Sequence, residues 1–120
     1  MPQPAGWHSL TPRIVTHDVP GLVDFLRKAF GAEGQLDPNR PAILRIGDSP
    51  VMVSGEGPRT AIPAFLYVYV DDADAVYRRA IEAGARSIEE PMDMPYGDRR
   101  AMVEDRWGNL WQIARYQGNR

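Results

Sequence analysis

Two helix-like segments framed by the same punctuation constrain this fold more than any other feature of the sequence. Asp18 precedes a run in which Leu22, Val23, Leu26, Ala29 and Phe30 recur at helical spacing up to Gly31. Asp72 precedes a second run, with Ala75, Val76, Ala80, Ile81 and Ala83 leading to Gly84. An aspartate oxygen satisfies the orphan N–H groups at a helix start, and glycine readily takes the left-handed conformation that ends one. From Asp18 to Asp72 is 54 residues and from Gly31 to Gly84 is 53, so the second half of the chain restates the first. Only two copies are present, which excludes a solenoid of stacked short repeats.

Strand-like segments flank both helices. In the first half they are residues 9–16, 32–36, 41–46 and 51–53, and in the second half residues 64–70, 86–88, 100–104 and 110–116. Each half therefore reads β-α-β-β-β. The expected architecture is α+β: a single domain of two βαβββ modules, about residues 9–54 and 64–116, joined by the Gly- and Pro-rich connector 55–63.

Composition narrows the partners. Fourteen Lys and Arg against 16 Asp and Glu leave no basic surplus with which to neutralise phosphates, so no nucleic acid is expected. No apolar run is long enough to span a membrane, and Met1-Pro2-Gln3-Pro4 carries no export pattern; the expected location is the cytoplasm. The absence of cysteine removes disulfides, thiolate metal ligands and a cysteine nucleophile together.

The closing stretch is the most individual. Tyr96-Gly97-Asp98-Arg99 lies in a loop, and Asp105-Arg106-Trp107-Gly108-Asn109 is a tight turn before an aromatic-rich strand, so the two strands around that turn form a hairpin. A Tyr-Gly-Asp-Arg loop followed by an Asp-x-x-Gly-Asn turn resembles the vicinal oxygen chelate superfamily of glyoxalases, bleomycin-resistance proteins and extradiol dioxygenases, and within it the PhnB-like branch. The resemblance implies two βαβββ repeats forming a concave mixed sheet, with helices on its outer face. It also implies a divalent metal held by His and Glu near the start of each half's first strand and on each half's last strand.

Counted back seven from the two cap aspartates, the first pair of these positions falls on Thr11 and Phe65. Gln112 takes the place of the usual Glu after the turn glycine, and the fourth position falls on or beside Val53. Phenyl and aliphatic groups offer no lone pair, and a neutral amide is a poor ligand for a first-row ion, so no metal and no other cofactor is expected. His8 and His17 miss the positions by three and six residues.

A pocket without its metal remains. Strand alternation sets Thr11, Arg13 and Val15 on one face in the first half. In the second half it does the same for Phe65, Tyr67 and Tyr69, and for Leu110 and Gln112, with Trp111 and Ile113 turned into the core. Tyr96 completes the lining, in a loop that either hinges at Gly97 as a lid or is merely shaped by a surface ion pair between Asp98 and Arg99. Rings with a few polar groups suit a small aromatic or amphipathic ligand. The functional expectation is a metal-free binding protein, a homodimer similar to bleomycin-resistance-type sequestering proteins. The alternative is an enzyme, a lyase, isomerase or oxygenase, with an atypical metal site using His8 or with Glu104 or Tyr96 moving a proton.

Overall fold

A computed structural model describes residues 2–118. The described chain carries two helices and seven strands in two compact units, residues 2–27 with 31–62 and residues 28–30 with 63–118. Both sheets are mixed, and the α+β class expected from the element order is the one observed.

The first unit contains β1 (Arg13–Val15), most of α1 (Val19–Phe30), β2 (Ala42–Ile46) and β3 (Ser49–Ser54). β3 is the central strand, parallel to β1 and antiparallel to β2. Asp18 caps α1 by accepting from Gly21 N at 3.1 Å, and Gly31 ends it in the left-handed region at φ 67°. Two strands are shorter than the alternation predicts. Pro12 has no N–H to lend the ladder, so β1 begins only at Arg13 while Met52 N donates to the Pro12 carbonyl. The strand expected over residues 32–36 contracts to a bridge between Glu33 and Arg45. At Gly34 the backbone runs so close to β2 that a Cβ would lie 2.3 Å from the Ile43 carbonyl oxygen.

The second unit orders its sheet β4 (Phe65–Tyr69), β7 (Leu110–Tyr116), β6 (Asp98–Glu104), β5 (Arg86–Asp93), with α2 (Ala73–Glu82) packed on β5, β6 and β7. Asp72 caps α2 through Ala75 N at 3.1 Å, the same bond that Asp18 makes. On the helix side Trp111, Ile113, Ala101 and Val103 are buried, and Phe30 tilts against Trp111 with ring centroids 5.0 Å apart. β5 runs five residues beyond its expected end at Ile88. It does so through Pro91, because it is an edge strand whose register slips between Ser87 and Glu89 and again before Met92.

The Asp-x-x-Gly-Asn turn is a buried clamp. Asp105 Oδ1 accepts from the backbone N–H of Trp107 and Asn109, and its Oδ2 accepts from Asn109 Nδ2 and Trp111 Nε1, each at 2.9 Å. Asn109 Oδ1 in turn accepts from Ala64 N at 2.9 Å, and Leu110 N donates to the Ala64 carbonyl, so the turn sets where β4 starts against β7. The aspartate side chain fastens this turn.

Candidate functional site

On the face of the second unit's sheet opposite α2, alternation and pairing bring particular side chains together. Phe65 stands across from Leu110, Tyr67 from Gln112 and Tyr69 from Ala114, while Arg100 faces Ala114 from the other side and Asp98 faces Tyr116. Phe65, Tyr67 and Tyr69 are 63%, 37% and 49% exposed, a large ring area for three successive outward positions. The Tyr67 and Tyr69 rings lie 5.3 Å apart and are tilted by 58°.

Asp98 organises the cluster. Fully buried, it accepts on Oδ2 from the Tyr67 hydroxyl at 2.5 Å and the Tyr69 hydroxyl at 2.8 Å. The Tyr67 and Tyr96 hydroxyls meet at 3.3 Å, and Arg100 Nη1 donates to the Tyr96 hydroxyl at 3.2 Å. Arg100 also donates from Nη2 to both oxygens of Glu89 at 3.0 Å, and its Nε is buried with no hydrogen-bond partner among the described residues. Burial, then the bonds to Asp98 and Tyr96, push the Tyr67 phenol well above its ordinary value of 10, so it stays protonated at physiological pH. Tyr67 is thus a fixed donor and cannot serve there as a phenolate base.

Several expectations need correcting. Asp98 and Arg99 do not form a surface pair, because neighbours on a strand point to opposite faces. Arg99 instead reaches the helix side, donating Nε and Nη2 to Asp74 at 2.7 and 3.1 Å and Nη1 to Asp93 at 3.3 Å. The supposed lid is a four-residue connection, residues 94–97, between β5 and β6. Met94 N donates to the Asp98 carbonyl, Gly97 N to the Met94 carbonyl and Gln117 N to the Gly97 carbonyl, which ties the turn at three points. Glu104, the candidate proton mover, is paired with Arg86.

Of the residues singled out from sequence, Tyr67, Tyr69 and Tyr96 meet in one hydrogen-bonded cluster. Phe65, Leu110 and Gln112 share its face, farther along β4 and β7. Thr11, Arg13 and Val15 belong to the first unit, where Arg13 Nε donates to Ser54 Oγ at 3.0 Å. Sequence reasoning missed Asp98, Arg100 and Glu89. A usable signal existed: Asp98 and Arg100 are two apart on a strand and must share a face, and that alone forbids the Asp98–Arg99 pair.

A model of the Glyoxalase/Bleomycin resistance protein/Dioxygenase superfamily matches residues 8–113. The chain belongs to this superfamily. A relative from Mycobacterium bovis, Uncharacterized protein Mb0911c, is 29% identical over 127 residues, covering 88% of this chain and 82% of its own. Among solved structures, TioX from Micromonospora sp. ML1 superposes with a TM-score of 0.79 at 27% identity, over 91% of this chain and 98% of that one. A glyoxalase/bleomycin resistance protein/dioxygenase family enzyme from Burkholderia phytofirmans PsJN does so at 0.76 and 21% identity, over 88% and 96%, which speaks for the fold alone.

The residues at the superfamily's metal positions do not fit a divalent ion. Phe65 carries no donor, Gln112 is a neutral amide, and Val53 is a fully buried aliphatic side chain in the core. Strand pairing narrows the fourth position, expected on or beside Val53. Tyr67, five residues before Asp72, lies opposite Gln112, and Arg13, five before Asp18, lies opposite Met52, so Met52 and not Val53 is the counterpart of Gln112. A thioether in place of a carboxylate does not improve the set for a hard or borderline ion. Nowhere among the described residues do three His, Asp or Glu side chains gather where they could hold a metal.

Proposed function

We propose that this member of the superfamily is a metal-independent binding protein. Its ligand is a small aromatic or amphipathic molecule taken on the Phe65–Tyr67–Tyr69 face, in a sequestering mode similar to that of bleomycin-resistance proteins. The observation that carries this reading is the row of exposed rings held in place by a buried carboxylate. Rings exposed at adjacent outward positions leave apolar area in water, and burying such area against a ligand is favourable by about 25 cal/mol per Å². Fixing the two phenols on Asp98 beforehand reduces the ordering that binding would otherwise have to supply. Tyr96, Leu110 and Gln112 complete the proposed ligand-contacting set of this unit, and Thr11, Arg13 and Val15 form the corresponding proposed set on the first unit. The Tyr96-Gly97-Asp98-Arg99 segment supports a place in the PhnB-like branch, and the reading includes a cytoplasmic homodimer.

Thermal-shift screening against aromatic and glycopeptide-like compounds tests the proposal. A ligand at 100 times its Kd adds about 2.7 kcal/mol, which for a chain of this size raises Tm by roughly 10 °C. The shift should shrink in Phe65→Ala and Tyr69→Ala. A panel that yields no shift, or one that these substitutions leave unchanged, refutes binding on this face. Stoichiometric iron, manganese, nickel or zinc in protein purified without a metal-affinity tag refutes metal independence, and a monomer in analytical ultracentrifugation refutes pairing.

A further inference from the structure

Proton counting in the tyrosine cluster bears on which ligands it takes. We propose that the Tyr67–Tyr69–Tyr96 cluster selects ligands that bring a protonated nitrogen, an arylalkyl ammonium being the simplest, and discriminates against carboxylates of the same shape. This specificity rests on the aromatic face being the binding surface.

A phenol owns one proton. Tyr67 and Tyr69 each give theirs to Asp98 Oδ2, at 2.5 and 2.8 Å. With the Tyr67 proton committed, the 3.3 Å contact between the Tyr67 and Tyr96 hydroxyls takes its proton from Tyr96, whose oxygen in turn receives Arg100 Nη1 at 3.2 Å. Donation therefore runs from Arg100 to Tyr96 to Tyr67 to Asp98, with Tyr69 converging on the same carboxylate. A further partner that reaches any of the three phenol oxygens must itself donate. An ammonium does so up to three times, whereas a carboxylate has nothing to donate and would have to detach a phenol from Asp98 or take the Tyr96 proton away from Tyr67.

Electrostatics points the same way. Two carboxylates, Asp98 and Glu89, stand against one guanidinium, and Arg100 is already held by both Glu89 oxygens with its Nε buried. Farther along the same face Glu104 and Arg86 pair and offset each other. The tilted Tyr67 and Tyr69 rings add π-faces that also attract cations. The raised Tyr67 phenol keeps its own proton across physiological pH and goes on donating to Asp98, so the polarity of the array holds there.

Three probes of one ring system test the proposal: 2-naphthylmethylamine, 2-naphthylmethanol and 2-naphthoate, titrated by calorimetry and by amide chemical-shift mapping at neutral pH. The ammonium should bind at least about tenfold more tightly than the carboxylate, the equivalent of one charge-assisted hydrogen bond. Its shifts should centre on residues 65–69 and 96–100. The double variant Tyr67→Phe/Tyr69→Phe keeps both rings and removes both oxygens, so the lead of the ammonium over the carboxylate should narrow by at least about threefold. If the double variant does not fold, Tyr96→Phe replaces it. That change leaves both Asp98 bonds in place and should still narrow the preference by a few fold. A carboxylate that binds as tightly as the ammonium, or a preference that loss of the hydroxyls does not narrow, overturns the specificity while leaving ligand binding on this face intact. If no probe perturbs these residues, the specificity and the binding surface fall together.

Discussion

Replacing Asp105 with asparagine asks whether the Asp-x-x-Gly-Asn turn is structural. The carboxylate is 4% exposed and accepts four hydrogen bonds, two per oxygen. Asparagine has nearly the same shape but one acceptor. With its oxygen toward Trp107 N and Asn109 N, its NH2 faces Asn109 Nδ2 and Trp111 Nε1, and flipping the amide only exchanges which pair is opposed. Either way two buried donors lose their acceptor, at about 1–3 kcal/mol each. The expected loss is about 3–5 kcal/mol, a large part of the roughly 5–15 kcal/mol that holds a domain together. For a chain of this length each kcal/mol moves Tm by about 4 °C. Urea unfolding followed by tryptophan fluorescence measures the loss, and the Trp111 indole N–H signal should move and exchange faster. Trp111→Phe removes one of the opposed donors, so in a double-mutant cycle it should recover about 1 kcal/mol or more of the Asp105→Asn defect. A cost below about 1 kcal/mol for Asp105→Asn, or strict additivity in the cycle, refutes the assignment of these bonds to the carboxylate.

Other perturbations test separate parts of the reasoning. Gly31→Ala meets no neighbouring atom within 4 Å but inherits φ 67°, so it should cost about 1–2 kcal/mol through backbone strain alone; a neutral effect in thermal unfolding would contradict the left-handed cap. Asp72→Ala should cost about 1 kcal/mol by uncapping α2, and Asp72→Ser should restore most of it. The hydrogen bonds from Arg99 hold the Asp74 carboxyl below its ordinary value of 3.8. A depressed carboxylate stabilises the fold above that value and ceases to do so as pH falls below it through the folded value. The Tm gap between wild type and Arg99→Met should therefore be constant near neutrality and close in acid; a gap still open at about pH 2 would assign the effect to packing.

Much of the fold was legible because it is written in local chemistry. Asp18, Asp72 and Gly31 occupy the cap positions that their side chains and backbone freedom suggest, and each cap aspartate accepts the bond expected of it. The outward row Phe65, Tyr67, Tyr69 and the inward pair Trp111, Ile113 follow from the two-residue period of a strand. Strand ends were less legible, because they depend on partners. Pro12 cuts β1 short for want of an N–H, whereas Pro91 does not stop β5, whose edge position spares it a ladder bond. The candidate site was half legible. Its tyrosines were visible, but the carboxylate joining them was assigned to Arg99, since adjacency in sequence was read as adjacency in space.

The residue order by itself determined the two helices, their caps, which side chains alternate across each strand, and the lack of suitable metal ligands at the superfamily's positions, all within reach of one or two helical turns or a strand's pleat. Only the tertiary structure decided that Asp98 lies under Tyr67 and Tyr69, that Arg100 is held between Glu89 and Tyr96, and that Met52 corresponds to Gln112. Those relations are set by register between strands distant in sequence, and register is fixed by the packing of a whole sheet face and by the clamp at Asp105.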